Sequence, residues 1–152
     1  MINVGIIGAS GYTGEALLSI LLKHPLVRVS YLSRHADKTQ KISEVFPKFD
    51  KVSDLVCGPT DIDKAIAKAD ILFLALPHTA SMEVAPKLLK KGKRVIDLSA
   101  DYRLADPRVY AYWYAKKHAD VKNIKNAVMA CPNCTGIKLK PLNSLPTPAV
   151  TP

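Results

Sequence analysis

Two rhythms of apolar and polar positions run along this chain. Ile2–Ile7 is almost continuously apolar, the pattern of a parallel strand buried on both faces. From about Thr13 to Lys23 the residues are helix-forming and rich in apolar positions, and His24-Pro25 ends them. Val27–Leu32 reads as a second strand. Residues 36–60, interrupted by Pro47, Gly58 and Pro59, carry no clear rhythm beyond a short strand over Val52–Cys57. Thr60-Asp61-Ile62-Asp63 resembles a capping box opening a helix to about Ala69. Ile71–Leu76 is the plainest strand pattern. Ala80–Lys91 follows as a helix that Pro86 should bend or delay, with Gly92 suited to its C-terminal cap, and then Arg94–Leu98 as a strand. Strands alternating with helices predict an α/β fold, a Rossmann-like doubly wound parallel sheet with helices on both faces. Residues 1–140 are read as the domain. Pro141, Pro146, Pro148 and Pro152 make 141–152 a proline-rich tail.

The first strand runs into Gly8-Ala9-Ser10-Gly11-Tyr12-Thr13-Gly14-Glu15, with three glycines three residues apart. In a doubly wound sheet the first strand-to-helix turn holds a dinucleotide pyrophosphate. One glycine allows the tight turn, one lets the backbone approach the phosphate, and one lets helix and strand pack closely. Gly8, Gly11 and Gly14 take these roles in that order, with Ser10, Tyr12 and Thr13 in the same cofactor-binding loop. The helix N-terminus adds unpaired N–H groups and partial positive charge. The spacing G-x-x-G-x-x-G differs from the G-x-G-x-x-G of the common NAD fingerprint. The second strand then ends in Leu32-Ser33-Arg34-His35, without the acidic residue that would bond a ribose hydroxyl of NAD. A hydroxyl at Ser33 and a guanidinium at Arg34 suit the extra phosphate of NADP, since Arg meets phosphate oxygens in bidentate fashion. Read alone, Arg34 also fits an ordinary surface arginine, and the NADP reading is preferred.

Composition narrows the class. Apolar residues are 48% and charged residues 23% of the 152, as in soluble globular proteins, and no stretch is long and apolar enough to span a bilayer. Three cysteines, 57, 131 and 134, make a poor disulfide framework, and the chain enters a strand without a leader-like segment, so a cytoplasmic protein is expected. The net charge of +9 favours anionic partners. The cations are scattered, with short clusters only at Lys90-Lys91 and Lys116-Lys117, which points to small anionic ligands and not to nucleic acid.

Four stretches together, GASGYTGE, LFLALPHTASMEVAP, VIDLSADYRLADP and VYAYWYAKKH, resemble N-acetyl-gamma-glutamyl-phosphate reductase of arginine biosynthesis, over residues 1 to about 128. That family lies in the semialdehyde-dehydrogenase group. The resemblance implies an NADP-binding domain, NADPH-dependent reduction of an acyl phosphate to an aldehyde through a cysteine thioester, and a homo-oligomeric complete enzyme. It aligns Cys134, in Ala130-Cys131-Pro132-Asn133-Cys134-Thr135-Gly136, with the family's nucleophile. The family has some twenty further residues before that cysteine, and the wording Pro-Asn-Cys-Thr is closer to aspartate-semialdehyde dehydrogenase, which stands as the alternative enzyme. A nucleotide-binding module without catalysis is the alternative of another class. Without the resemblance, Cys131 and Cys134 also read as a redox pair, half a zinc site or unused cysteines; no metal site is expected.

The resemblance further sets Pro77 and His78, after the plainest strand, along the cofactor near its nicotinamide end. Ser99 and Arg103 leave the next strand at the same edge of the sheet, Ser99 to donate to cofactor or substrate oxygens and Arg103 to hold an acyl phosphate or carboxylate. Asp101 is expected to orient Arg103, and Trp113 and His118 to be structural. The family's general base is a histidine of a second domain, whereas His24, His35, His78 and His118 all precede Cys134. The expectation is a chain without that domain, binding the cofactor without meaningful turnover.

Overall fold

A computed structural model describes residues 1–128. In chain order the elements are β1 (Ile2–Ile7), α1 (Tyr12–Leu21), β2 (Val27–Ser33), β3 (Gln40–Lys41), α2 (Ile42–Val45), a 3-10 turn (Pro47–Phe49) and β4 (Val56–Cys57). There follow α3 (Ile62–Lys68), β5 (Ile71–Leu74), α4 (Ser81–Lys90), β6 (Arg94–Asp97), α5 (Pro107–Tyr114) and α6 (Val121–Ile124). The main sheet has the order β2-β1-β5-β6 and is parallel throughout.

Continuous apolar runs are needed because each central strand is covered on both sides. On one face Val4 and Ile6 of β1, with Val29 and Leu32 of β2, pack against Leu18 and Leu21 of α1. Ile42 and Phe49 extend that layer. On the other face Ile7, Tyr31, Leu72 and Leu74 meet Ala65 and Ala69 at the end of α3, and Ala85 and Leu88 of α4. The predicted α/β sheet with helices on both faces is therefore present.

One irregularity interrupts the ladder. Val4 pairs with Val29, but Gly5 pairs with Tyr31, so Ser30 is an extra residue in β2. Its hydroxyl donates to the carbonyl of Lys68 (2.7 Å), with the Val4 carbonyl at a longer 3.3 Å, which ties the bulge to the end of α3 beside β1.

Residues 36–60 resolve into small pieces. Only Val56–Cys57 of the expected strand pairs, antiparallel to Gln40–Lys41, while Pro47 opens the 3-10 turn. The α3 cap lies one residue beyond the expected position: Asp61, not Thr60, accepts from the Lys64 N–H at 3.0 Å. Thr60 instead donates to Ser33 Oγ. Helix α4 runs unbroken through Pro86 and ends as expected at Gly92, with Gly92 N–H bonded to Leu89 O and Lys93 N–H to Leu88 O. Helix α5 has no counterpart among the elements predicted from periodicity, although Asp106 caps Arg108 N–H (2.8 Å) and Pro107 holds the first helical position. Among the described residues no helix is long and apolar enough to cross a membrane.

Candidate nucleotide-binding site

The path from β1 through α1 to β2 moves to one side of β1, whereas β5 and β6 lie on its other side. Strand order therefore reverses between β1 and β5, and ligands of open α/β sheets bind beyond the carboxyl ends of strands at such a switch point. The loops reaching that edge begin at Gly8, Arg34, Ala75 and Leu98.

The three glycines meet different demands. Gly8 has φ +92, and a Cβ there would collide with the Ala75 carbonyl of the β5 loop. Its N–H and that of Ala9 donate to Ser33 O at 2.9 and 2.8 Å, which draws the glycine loop onto the end of β2. Gly14 lies in the first turn of α1, and a Cβ there would stand 2.5 Å from Gly8 O and 2.7 Å from Ala9 Cα. Gly11 is different. It is the N-cap of α1 at φ −83, ψ 165, a conformation open to any residue, and its Cβ would meet nothing nearer than Gly8 O at 3.9 Å. The protein's own packing gives no reason for glycine there. Ser10, Tyr12 and Thr13 beside it are exposed, and no side chain caps the helix. Its first N–H groups are thus free to meet an anion, and the vacant Cβ position is where one would approach. Glu15, the acid of the same turn, is neutralised by Lys48 at 2.7 Å.

At the end of β2 the two expected side chains part company. Ser33 is wholly buried, and its hydroxyl accepts from Thr60 Oγ1 at 3.1 Å. The hydroxyl expected to serve the cofactor thus lies in the interior, and Ser33 fastens the glycine loop through its carbonyl. Arg34 is partly exposed, its Nη2 donates to Gln40 Oε1, and its buried Nε has no partner. An unpaired guanidinium N–H is costly unless an acceptor completes it, and a phosphate oxygen is the acceptor best matched to it. Behind it Cys57 is fully buried; burial pushes its thiol up to about 11, against a smaller opposing pull from the Arg34 charge.

The loops after β5 and β6 are held to one another. Pro77 and His78 are exposed, and the His78 ring lies 5.4 Å from that of Tyr114. Thr79 has φ +76, a left-handed geometry that costs a β-branched residue about 1–3 kcal/mol. Its N–H donates to Asp101 Oδ1 at 2.8 Å, Tyr110 Oη donates to the same oxygen at 2.7 Å, and Met82 N–H donates to Oδ2 at 3.3 Å. Asp101 is fully buried and does not orient Arg103, contrary to expectation. Ser99 is also buried; its hydroxyl donates to Asp97 Oδ2 (2.7 Å) and accepts from Asp101 N–H (3.1 Å). Its single proton is therefore committed within the loop, which corrects its expected role as a donor to ligand. Arg103 is exposed, with one long contact from Nη2 to Ser99 O at 3.5 Å.

His118 is structural, as expected. Its Nδ1 accepts from Asp120 N–H (3.0 Å), so Nε2 carries the proton and donates to Asp101 O (2.7 Å). Trp113, by contrast, is 71% exposed and packs edge-on against Tyr112, because α5 turns that face outward. A cleft of about 910 Å³ beside β6 is bordered by Ser99, Tyr102, Arg103 and Asn123 and walled by Leu89, Val95 and Leu98. Cys131 and Cys134, with the proline-rich tail, lie outside the described residues.

A doubly wound sheet with a glycine turn at its switch point defines a dinucleotide-binding domain, and the comparisons agree. Residues 3–140 match the family model described as semialdehyde dehydrogenase, NAD binding domain, and the chain belongs to that family. Among curated relatives it is 38% identical over 151 residues to N-acetyl-gamma-glutamyl-phosphate reductase of Magnetococcus marinus, covering 99% of this chain and 43% of the relative. The reductase of the same name from Geobacter metallireducens is 45% identical over 132 residues, 87% of this chain and 38% of the relative. The chain thus spans about two-fifths of the length of these relatives. Among solved structures, aspartate semialdehyde dehydrogenase with NADP from Candida albicans superposes with a TM-score of 0.60 at 18% identity, over 68% of this chain and 31% of that one. That likeness is one of fold.

Proposed function

We propose that this chain is the NADP-binding part of an acyl-phosphate reductase acting on N-acetyl-gamma-glutamyl phosphate and yielding the semialdehyde and phosphate, a step of arginine synthesis. The observation that carries the nucleotide half is Gly11, a glycine the fold does not need, at a free helix N-terminus on the switch-point edge. The relatives' names support the substrate. Arg34 supports NADP over NAD, because its buried unpaired Nε awaits an acceptor at the end of β2 where an adenosine ribose lies in such folds. Pro77 and His78 border the same edge, where they would flank the nicotinamide, and Arg103 is free to hold the acyl phosphate or its carboxylate.

When bound, the reduced nicotinamide supplies hydride to the acyl carbon. The chain's own contribution is to bind the pyrophosphate on α1, to orient the two ends of the cofactor, and to offer Cys134. In this reading the Cys134 thiolate attacks the acyl carbon and phosphate leaves, giving a thioester that is reduced and released as aldehyde. The alignment of Cys134 with the family's nucleophile supports that role.

The test has two arms. Calorimetric titration with NADPH and NADH should give tighter binding of NADPH; equal affinities defeat the NADP assignment. Reduction of NADP with phosphate is then followed with N-acetylglutamate semialdehyde or aspartate semialdehyde, on wild type and Cys134→Ser. Cys134-dependent turnover of the aspartate compound alone would overturn the substrate. Cofactor binding with turnover of neither would leave a nucleotide-binding module.

A further inference from the structure

The geometry points to Asp101 as a positioning residue for the cofactor: it holds the Pro77-His78-Thr79 loop in the shape that meets the nicotinamide half. This rests on the reading of the switch-point edge as a dinucleotide site. The buried carboxylate touches no cation among its partners; it is held by three neutral donors, Thr79 N–H, Met82 N–H and Tyr110 Oη. Two of those donors are backbone groups on either side of the start of α4, where the helix also favours negative charge.

His78 is reached from Asp101 by two routes. The first is through the backbone: Asp101 bonds the N–H of Thr79, the residue after His78 and the one non-glycine residue in this loop held at positive φ. A β-branched residue leaves that geometry unless something restrains it. The second is through side chains: Tyr110, bonded to Asp101, stacks on Tyr114 at 4.7 Å, and Tyr114 lies against the His78 ring. One carboxylate thus fixes both the backbone and, through two tyrosines, the ring of a residue that is itself exposed. It also couples the β6 loop, through Asp101 N–H to Ser99 Oγ, to the β5 loop. An asparagine would keep one acceptor oxygen but turn an NH₂ toward Met82 N–H, donor against donor.

The full chain is titrated with NADPH and with adenosine 2′,5′-bisphosphate, which lacks the nicotinamide half. If the loop is competent only a tenth of the time in Asp101→Asn, NADPH affinity falls about tenfold. Affinity for the bisphosphate stays within about twofold, because Gly11 and Arg34 are untouched. Thr79→Gly added to Asp101→Asn should recover part of the NADPH loss, since glycine takes positive φ without strain. Should Asp101→Asn fail to fold, Tyr110→Phe removes a single donor and is expected to cost NADPH about threefold, again sparing the bisphosphate. Undiminished NADPH affinity, or equal losses for both ligands, overturns the positioning role while leaving the cofactor reading intact. A wild-type chain that binds neither ligand overturns both.

Discussion

Replacing Gly11 by valine separates the fold's need for glycine from the ligand's. The backbone at φ −83, ψ 165 accepts any side chain, and the new Cβ would sit 3.9 Å from its nearest neighbour. Losing glycine as N-cap is unfavourable, yet the unfolded chain loses entropy too, so the net change in stability is within about 1 kcal/mol. Gly14→Val is the opposite case. Its Cβ falls 2.5 Å from Gly8 O and 2.7 Å from Ala9 Cα, overpacking between backbone atoms that costs at least ~1–3 kcal/mol. For binding, the order reverses. A valine at 11 occupies the approach to the free N–H groups of α1, and charge-assisted bonds there contribute about 1.5–3 kcal/mol each. Loss of two weakens NADPH at least ~100-fold. Thermal unfolding followed by circular dichroism, with calorimetric titration of NADPH on both variants, measures the two quantities. If Gly11→Val binds within a few-fold of wild type, or unfolds as readily as Gly14→Val, the assignment of Gly11 to the ligand is wrong.

Arg34→Ala should narrow the preference for NADPH over NADH by about 1–3 kcal/mol, measured by the same titration; an unchanged gap removes Arg34 from phosphate recognition. The Cys57 thiol, raised from 9.0 to about 11, holds its proton more tightly folded than unfolded. Its contribution is complete below pH ~9 and is lost as pH rises to ~11, roughly 3 kcal/mol in all. Urea unfolding between those pH values should show this slope, and Cys57→Ala should reduce it, most clearly between pH ~9 and ~10, below the range in which unfolded tyrosines ionise. Burial, helped by the Asp120 and Asp101 carboxylates respectively, raises the phenols of Tyr102 and Tyr110. Spectrophotometric titration at pH ~11 should therefore leave at least two of the six tyrosines un-ionised until the protein unfolds.

The parts of the fold legible from sequence are those governed by local periodicity. Ile2–Ile7 and Ile71–Leu74 are buried on two sides, so their composition alone marks them, and Gly92 ends α4 in a motif that only near neighbours build. Residues 36–60 were obscure because their pairing is two residues long and set by tertiary contact with β2. Helix α5 carries a readable start in Asp106-Pro107, but it is only eight residues long and buries one of them, Tyr110, so its apolar face is too short to stand out. In the site, the glycine loop could be placed from spacing, whereas Ser33 and Ser99 could not: whether a hydroxyl is offered outward or bonded within depends on Thr60 and Asp97, neighbours that no motif names. The same holds for Asp101, whose partners lie 9 to 22 residues away.

The extra residue in β2 behaves like a frame shift in the strand. Before Ser30, Val29 faces the α1 layer; after it, Tyr31 faces α3 and α4, and Leu32 returns to the α1 side. Deleting Ser30 would leave each face as it is, whereas if Ser30 instead paired regularly with Gly5, the register would slip by one and everything downstream would turn through half a rotation. Tyr31 and Leu32 would exchange layers, and Ser33 would no longer aim its carbonyl at Gly8 and Ala9. Arg34 would leave from the other side of the sheet. The side of the sheet from which Arg34 leaves is therefore set by the bulge at Ser30, and an arginine transplanted to the end of another strand emerges on the same side only where that strand keeps the same parity.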